Sequence, residues 1–213
     1  MIFASNIFAA QPGHADEFTG LMGSMLGVML EHDVQAGIKV SVSGTDTTEV
    51  LINSVFPNMS AYADATARMR SSEKWVQTYM SIGNSAATIP VDSFIAEVMP
   101  GFDDAPSLSE GVIMANMWKA HPGRLADLKA GMAIAKEMHM GHGASAVRAY
   151  QIYGGRYNGC YGYNVSFADM AAMGAWWDSG REDNDKFFDE AGKNPSAEIQ
   201  AQIIMDNPAV IGK

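Results

Sequence analysis

The sequence predicts an α+β protein built from two tandem β-α-β-β-α-β repeats. Three observations carry this: an internal similarity at a nearly constant offset, a Pro/Gly/Asp cluster at mid-chain, and one order of strand-like and helix-like segments in both halves. Asn6-Ile7-Phe8-Ala9-Ala10-Gln11-Pro12-Gly13 returns as Asn116-Met117-Trp118-Lys119-Ala120-His121-Pro122-Gly123, with Asn, Ala, Pro and Gly coinciding 110 residues apart. His32 matches His142 at the same offset. Asn53, Phe56, Met59 and Ala61 match Asn164, Phe167, Met170 and Ala172 at an offset of 111, and Glu73-Lys74-Trp75 faces Asp185-Lys186-Phe187 at 112. The cluster Pro100-Gly101-Phe102-Asp103-Asp104-Ala105-Pro106-Ser107 reads as the junction. The expected organisation is a first repeat over residues 1–100, a linker over 101–110 and a second repeat over 111–213.

Each element has a local reason. Ile2 to Ala9 is short, apolar and β-prone. Pro12-Gly13 leads into a helix whose Phe18, Leu21, Met22, Met25, Leu26, Met29 and Leu30 follow 3–4 spacing. Gly37 to Ser43 and Thr47 to Phe56 flank Gly44-Thr45-Asp46, a hairpin signature. Asn58 suits an N-cap for a helix from Met59. A second helical piece covers Ser72 to Ser81, and Val91 to Met99 is the last strand of the half. The second half repeats this: a strand Val112 to Lys119, a helix from Pro122 to His142, and strands Ala146 to Tyr153 and Gly159 to Phe167. Helices follow over Asp169 to Trp177 and Asp183 to Ala191, and a strand Ile199 to Met205 closes the chain.

Composition excludes several classes. The chain has 213 residues, 47% hydrophobic and 18% charged, which is too apolar for disorder. The formal net charge of −10 argues against a nucleic-acid partner, because phosphate binding needs a basic face. No apolar run approaches the roughly 20 residues that span a bilayer, and Met1-Ile2-Phe3-Ala4-Ser5-Asn6 has no basic n-region of a secretory signal. A cytoplasmic protein without a membrane partner is expected. Cys160 is the sole cysteine, so neither an internal disulfide nor a cysteine-based zinc site is expected. Residues 1–105 hold 12 acids and 4 bases, against 12 and 10 in the rest. The acidic excess of the first half reads as a solvated face.

With Gln11-Pro12-Gly13, His121-Pro122-Gly123, the hairpins, and Phe56-Pro57-Asn58-Met59 with Phe167-Ala168-Asp169-Met170 in place, the chain resembles a duplicated ferredoxin-like fold. More narrowly, it resembles the dimeric α+β barrel superfamily, with its antibiotic-biosynthesis monooxygenase-like, NIPSNAP-like and haem-degrading members. The resemblance implies that the two sheets cover each other's bare faces and close a pseudo-dimeric barrel within one chain. It also implies small-molecule binding in a barrel-type pocket, with cofactor-independent oxygenation of an aromatic or polyketide-like substrate as one outcome. The alternative is a non-catalytic structural or stress-type protein with a filled barrel. In the haem-degrading relatives the axial histidine lies on the second helix, and residues 58–84 and 169–193 contain no histidine, so no cofactor is expected. A homo-oligomer is expected on general grounds.

The candidate ligand-binding residues are Asn6, Asn116, Trp118, His142, Tyr150, Tyr163, Asn164 and Trp177. Asn6 and Asn116 sit mid-strand among apolar residues and match the position where the relatives' first-strand asparagine faces the substrate pocket. A backbone-bonded structural amide is the competing reading. Asn164 shares that ambiguity. His142 ends a long helix, where the dipole favours an imidazole, and is a base or orienter only if it points inward. Five of the seven tyrosines fall in the second half, Tyr150, Tyr153, Tyr157, Tyr161 and Tyr163, as barrel core or as the wall of a pocket for a flat apolar ligand. Trp118, Trp176, Trp177 and Trp75 are candidates to close such a pocket, with at most one of the adjacent Trp176 and Trp177 fully inward on a helix. His139 and His142, with Glu137 nearby, have metal-ligand spacing but lack a third ligand of matching logic, so no metal is expected. Strand alternation gives Asn164 the opposite parity to Tyr161 and Tyr163, which leaves a helix-side site with an asparagine and a barrel-side site with tyrosines. Which residue, if any, is catalytic stays open.

Overall fold

A computed structural model describes residues 1–44, 49–103, 108 and 111–207. The first half runs β1 (Ile2–Ala10), α1 (Ala15–Glu31), β2 (Gln35–Ser43), β3 (Glu49–Phe56), α2 (Met59–Arg70), α3 (Glu73–Asn84) and β4 (Thr88–Val98). The second runs β5 (Val112–Ala120), α4 (Leu125–Gly141), β6 (Ala146–Tyr153), β7 (Tyr161–Phe167), α5 (Met170–Lys193) and β8 (Ala197–Asp206). Thr45 and Asp46 of the expected hairpin turn, Thr47 at the expected strand start, and 104–107, 109 and 110 of the expected linker lie outside the described residues.

All strand pairings are antiparallel, and the sheet closes on itself in the order β1-β3-β2-β8-β5-β7-β6-β4. Each half contributes its own four strands in the order 4-1-3-2, and the halves join at β2–β8 and β4–β6. Closure leaves no open edge. The helices lie outside, α1 to α3 over the first half and α4 with α5 over the second.

The strands are apolar on both faces because both are covered. On β1, Phe3 and Ile7 line the barrel interior with Phe94 and Tyr150, while Ile2, Ala4 and Phe8 pack with Phe18, Met22, Met25 and Met29 of α1. The barrel interior is filled. The Tyr150 ring stacks against Phe94 at 6.4 Å and meets Phe3 tilted at 5.2 Å, and its hydroxyl donates to Asn164 Oδ1 at 3.1 Å. Only about 30 Å³ is left beside them, room for water and far below the roughly 300 Å³ of a small-molecule site. Burial pushes the Tyr150 phenol up to about 12, so it stays a donor at neutral pH.

Local signals explain most boundaries. Asn58 caps α2 as expected, accepting from the Ala61 amide at 2.9 Å, and Asp169 caps α5 the same way through Ala172 at 2.8 Å. His32 and His142 are the residues at which α1 and α4 end. Three expectations are corrected. The two helices expected after Asp169 are one continuous α5. At Gly180 α5 passes the His142 ring, and an added Cβ there would sit 3.3 Å from the ring. β4 starts at Thr88 rather than Val91, and β7 at Tyr161 rather than Gly159, because Gly159 takes a left-handed φ of 77° in the β6–β7 turn.

Candidate functional site

Ligand-sized room lies outside the barrel, between the sheet and the helices. This corrects the expected barrel-type pocket: large interior side chains fill the barrel. In the second half a cleft of about 490 Å³ is bounded by β5, β7 and β8 below and α4 and α5 above. That volume is in the range of small-molecule sites, roughly 300–1,000 Å³.

The floor comes from alternate residues of the strands. Met114, Asn116 and Trp118 of β5 point to the helices, as does Tyr163 of β7. Met132, Ala135 and His139, at helical spacing on α4, form the roof with Trp176 of α5. The rim is aromatic: Trp118 stacks on Phe188 at 6.4 Å, and Trp177, half exposed, meets Trp176 edge-on at 5.8 Å.

Polar groups punctuate this apolar wall. Asn116 Oδ1 accepts from Gln202 Nε2 at 2.8 Å across the β5–β8 pair. The Tyr163 hydroxyl and the Trp176 indole N–H are buried donors that meet no acceptor among the described residues, and Asn184 Oδ1 is a buried acceptor that meets no donor among them. Buried polar groups are normally bonded, and leaving one unmet costs about 1–3 kcal/mol. Three such groups belong to residues that line this one cleft. Burial also raises the Tyr163 phenol, which keeps its proton.

His139 packs against Trp176 at 5.1 Å and Tyr163 at 5.8 Å between ring centroids. Burial, aided by the charge of His142, lowers its imidazole to about 4, so it is neutral at pH 7. No side chain lining the cleft then carries a charge among the described residues. Between pH 6.5 and 4 the unfolded chain takes up a proton at His139 that the folded chain refuses. Stability is therefore expected to fall with decreasing pH across that window by about 1.4 kcal/mol per unit from this group. Urea titrations from pH 7 to 4 should show this slope, and His139→Gln should remove it.

The structure distributes the eight sequence candidates over four places. Asn116, Trp118, Tyr163 and Trp177 meet in this cleft. Tyr150 and Asn164 bond each other inside the barrel. Tyr163 and Tyr161 therefore face the helices, reversing the expected barrel-side site with tyrosines, and Lys129 of α4 sits over the Tyr161 ring. Asn6 lines a separate cleft in the first half. His142 lies outside the second-half cleft, its Nε2 3.0 Å from Asp183 Oδ2 of α5, because the end of α4 turns it to the helix–helix seam. His139, weighed above only as a metal ligand, takes the inward position. Its spacing from Met132 and Ala135 was the available signal. Gln202 and Asn184 were the other residues missed, while Trp176, weighed with Trp177 as a pocket-closing residue, is the buried one of the pair.

An antiparallel α+β barrel with ligand-sized clefts between sheet and helices is the class that fold and site define. No protein-family model and no curated protein matches this sequence. The fold is similar to that of a candidate monooxygenase from Fusobacterium nucleatum, at TM-score 0.66 and 9% identity over 97% of this chain and 94% of that one. An anthrone oxidase-like protein follows at TM-score 0.57 and 12% identity, covering 95% and 90%. A haem-binding protein from Thermus thermophilus aligns at TM-score 0.53 and 13% identity, covering 96% and 90%. At these identities the likeness is one of fold. Haem does not suit the second-half cleft, since among the described residues no cationic side chain lines it to meet two propionates. Among the described residues no cluster of three or more His, Cys, Asp or Glu could hold a metal, and no helix is long and apolar enough to cross a membrane.

Proposed function

We propose that this protein binds a flat, largely apolar and uncharged small molecule in the cleft between β5, β7, β8, α4 and α5. The observation that carries the reading is the pair of buried donors, Tyr163 Oη and Trp176 Nε1, without acceptors among the described residues in an otherwise apolar, charge-free cleft. A ligand carbonyl or phenol oxygen supplies what they lack. Trp118, Trp177 and Phe188 supply faces on which a ring system stacks.

The finer reading is oxygenation of an aromatic or polyketide-like substrate without a cofactor. Such a substrate ionises at an activated carbon, and its carbanion reduces dioxygen directly. For anthrone the balance is one substrate and one O₂ giving anthraquinone and water. The chain's part is to exclude water and to hold the enolate oxygen against Tyr163 and Trp176. His139, neutral and inward, replaces His142 as the candidate proton acceptor. The candidate monooxygenase and anthrone oxidase-like folds support this direction. The homo-oligomer expected from the sequence belongs to the same reading and is checked by light scattering across concentrations.

Anthrone titrated without oxygen, followed by native mass spectrometry, is expected to give one equivalent bound. Tyr163→Phe is expected to weaken it roughly tenfold, the scale of one hydrogen bond. Admitting air then tests turnover on an oxygen electrode. Binding without oxygen uptake leaves a binding protein, and no binding overturns the assignment.

A further inference from the structure

We propose that the first half carries a second ligand site, of different chemistry, which takes a small organic acid with an apolar body. The cleft lies between the first-half sheet and α1 to α3 and encloses about 620 Å³. Its apolar side is Met25, Met29, Phe56, Met69 and Trp75.

Its polar side is unlike that of the second-half cleft. Asn6 stands where Asn116 stands in the repeat. Across the strand pair Asn116 faces Gln202, which is long enough to bond it. Asn6 faces Ser93, which is too short, and neither side chain makes a hydrogen bond among the described residues. Ser54 also lines the cleft, is 2% exposed, and its hydroxyl has no partner among them. The substitution of Ser for Gln thus leaves the sheet face of this cleft with unspent hydrogen-bonding capacity.

Charge selects the ligand. The described first half holds four bases. Lys39 is buried with its ammonium on the Gly111 carbonyl at 2.6 Å, Arg68 donates to the His32 carbonyl at 3.4 Å, and Lys74 pairs with Glu31 at 2.5 Å. Arg70 alone has no partner among the described residues, and it lines the cleft at the end of α2. No carboxylate among the described residues lines it. A single free guanidinium, beside hydroxyl and amide groups over a methionine-rich floor, fits a carboxylate on an apolar ring or chain.

The test uses 2-naphthoate and its neutral counterpart 2-acetonaphthone. Trp75 is the one tryptophan lining this cleft, while Trp118, Trp176 and Trp177 line the other. Calorimetric titration with 2-naphthoate is expected to show binding that Arg70→Gln weakens roughly tenfold, whereas binding of the ketone does not depend on Arg70. Quenching of tryptophan emission by 2-naphthoate is expected to vanish in Trp75→Phe. Naphthoate affinity unchanged in Arg70→Gln, quenching that persists in Trp75→Phe, or no binding up to millimolar naphthoate each overturns the proposal. Arg70 is exposed, so its replacement leaves the fold intact.

Discussion

Gly162→Ala is expected to destabilise the protein by about 3 kcal/mol or more, measured by urea denaturation. Gly162 on β7 pairs with Tyr150 on β6, and the Tyr150 ring occupies the space a side chain there would need. A Cβ at Gly162 would come within 2.2 Å of the ring. The ring has nowhere to go, since Phe3 and Phe94 hold it and it is 1% exposed. Overpacking of this kind costs about 1–3 kcal/mol where the neighbours can shift, and more where they cannot. Tyr150→Leu alone loses buried ring area. Combined with Gly162→Ala, it should cost less than the sum of the two, because the clash disappears with the ring.

Arg156→Ala is expected to cost about 4 kcal/mol, and Glu49→Gln in the same chain to recover part of it. Arg156 closes one mouth of the barrel from the β6–β7 turn. Its Nη2 donates to both Glu49 carboxylate oxygens at 2.8 Å, its amide donates to Asp92 Oδ2 at 3.0 Å, and Glu49 is 1% exposed. Removing the guanidinium leaves a carboxylate buried without its partner, a loss of about 3–5 kcal/mol. The recovery by Glu49→Gln distinguishes an uncompensated charge from lost packing. Thermal melts of the single and the double variant would read both effects.

The order of elements was legible because most segments carry a strand or helix periodicity of their own. The cap at Asn58 was legible from its chemistry alone. Boundaries failed where a local signal met a tertiary contact. The break expected between Trp177 and Asp183 falls where α5 runs on past the His142 ring at Gly180, a contact between segments far apart in the chain. Gly162 beside tyrosines reads as loose packing until the Tyr150 ring is seen to fill the space. The site was half legible. Alternation correctly put Asn164 and Tyr163 on opposite faces, yet a period of two does not say which face meets helices. That needed the closure of the barrel, which depends on pairings between strands far apart in the chain. His142 and His139 are three residues apart at the end of one helix, and only the packing of α5 decides which is inward.

The central claim is that the second-half cleft is a ligand site. Gly131 of α4 lines it, and a Cβ there meets only the edge of the Phe187 ring at 4.0 Å, so a larger side chain can grow into the open space. Calorimetric titration of anthrone without oxygen, comparing the protein with Gly131→Leu, is the most direct test. The site predicts one equivalent bound by the unaltered chain and none by Gly131→Leu, with a melting temperature that does not fall, since leucine favours a helix over glycine. Equal binding by both chains would contradict it.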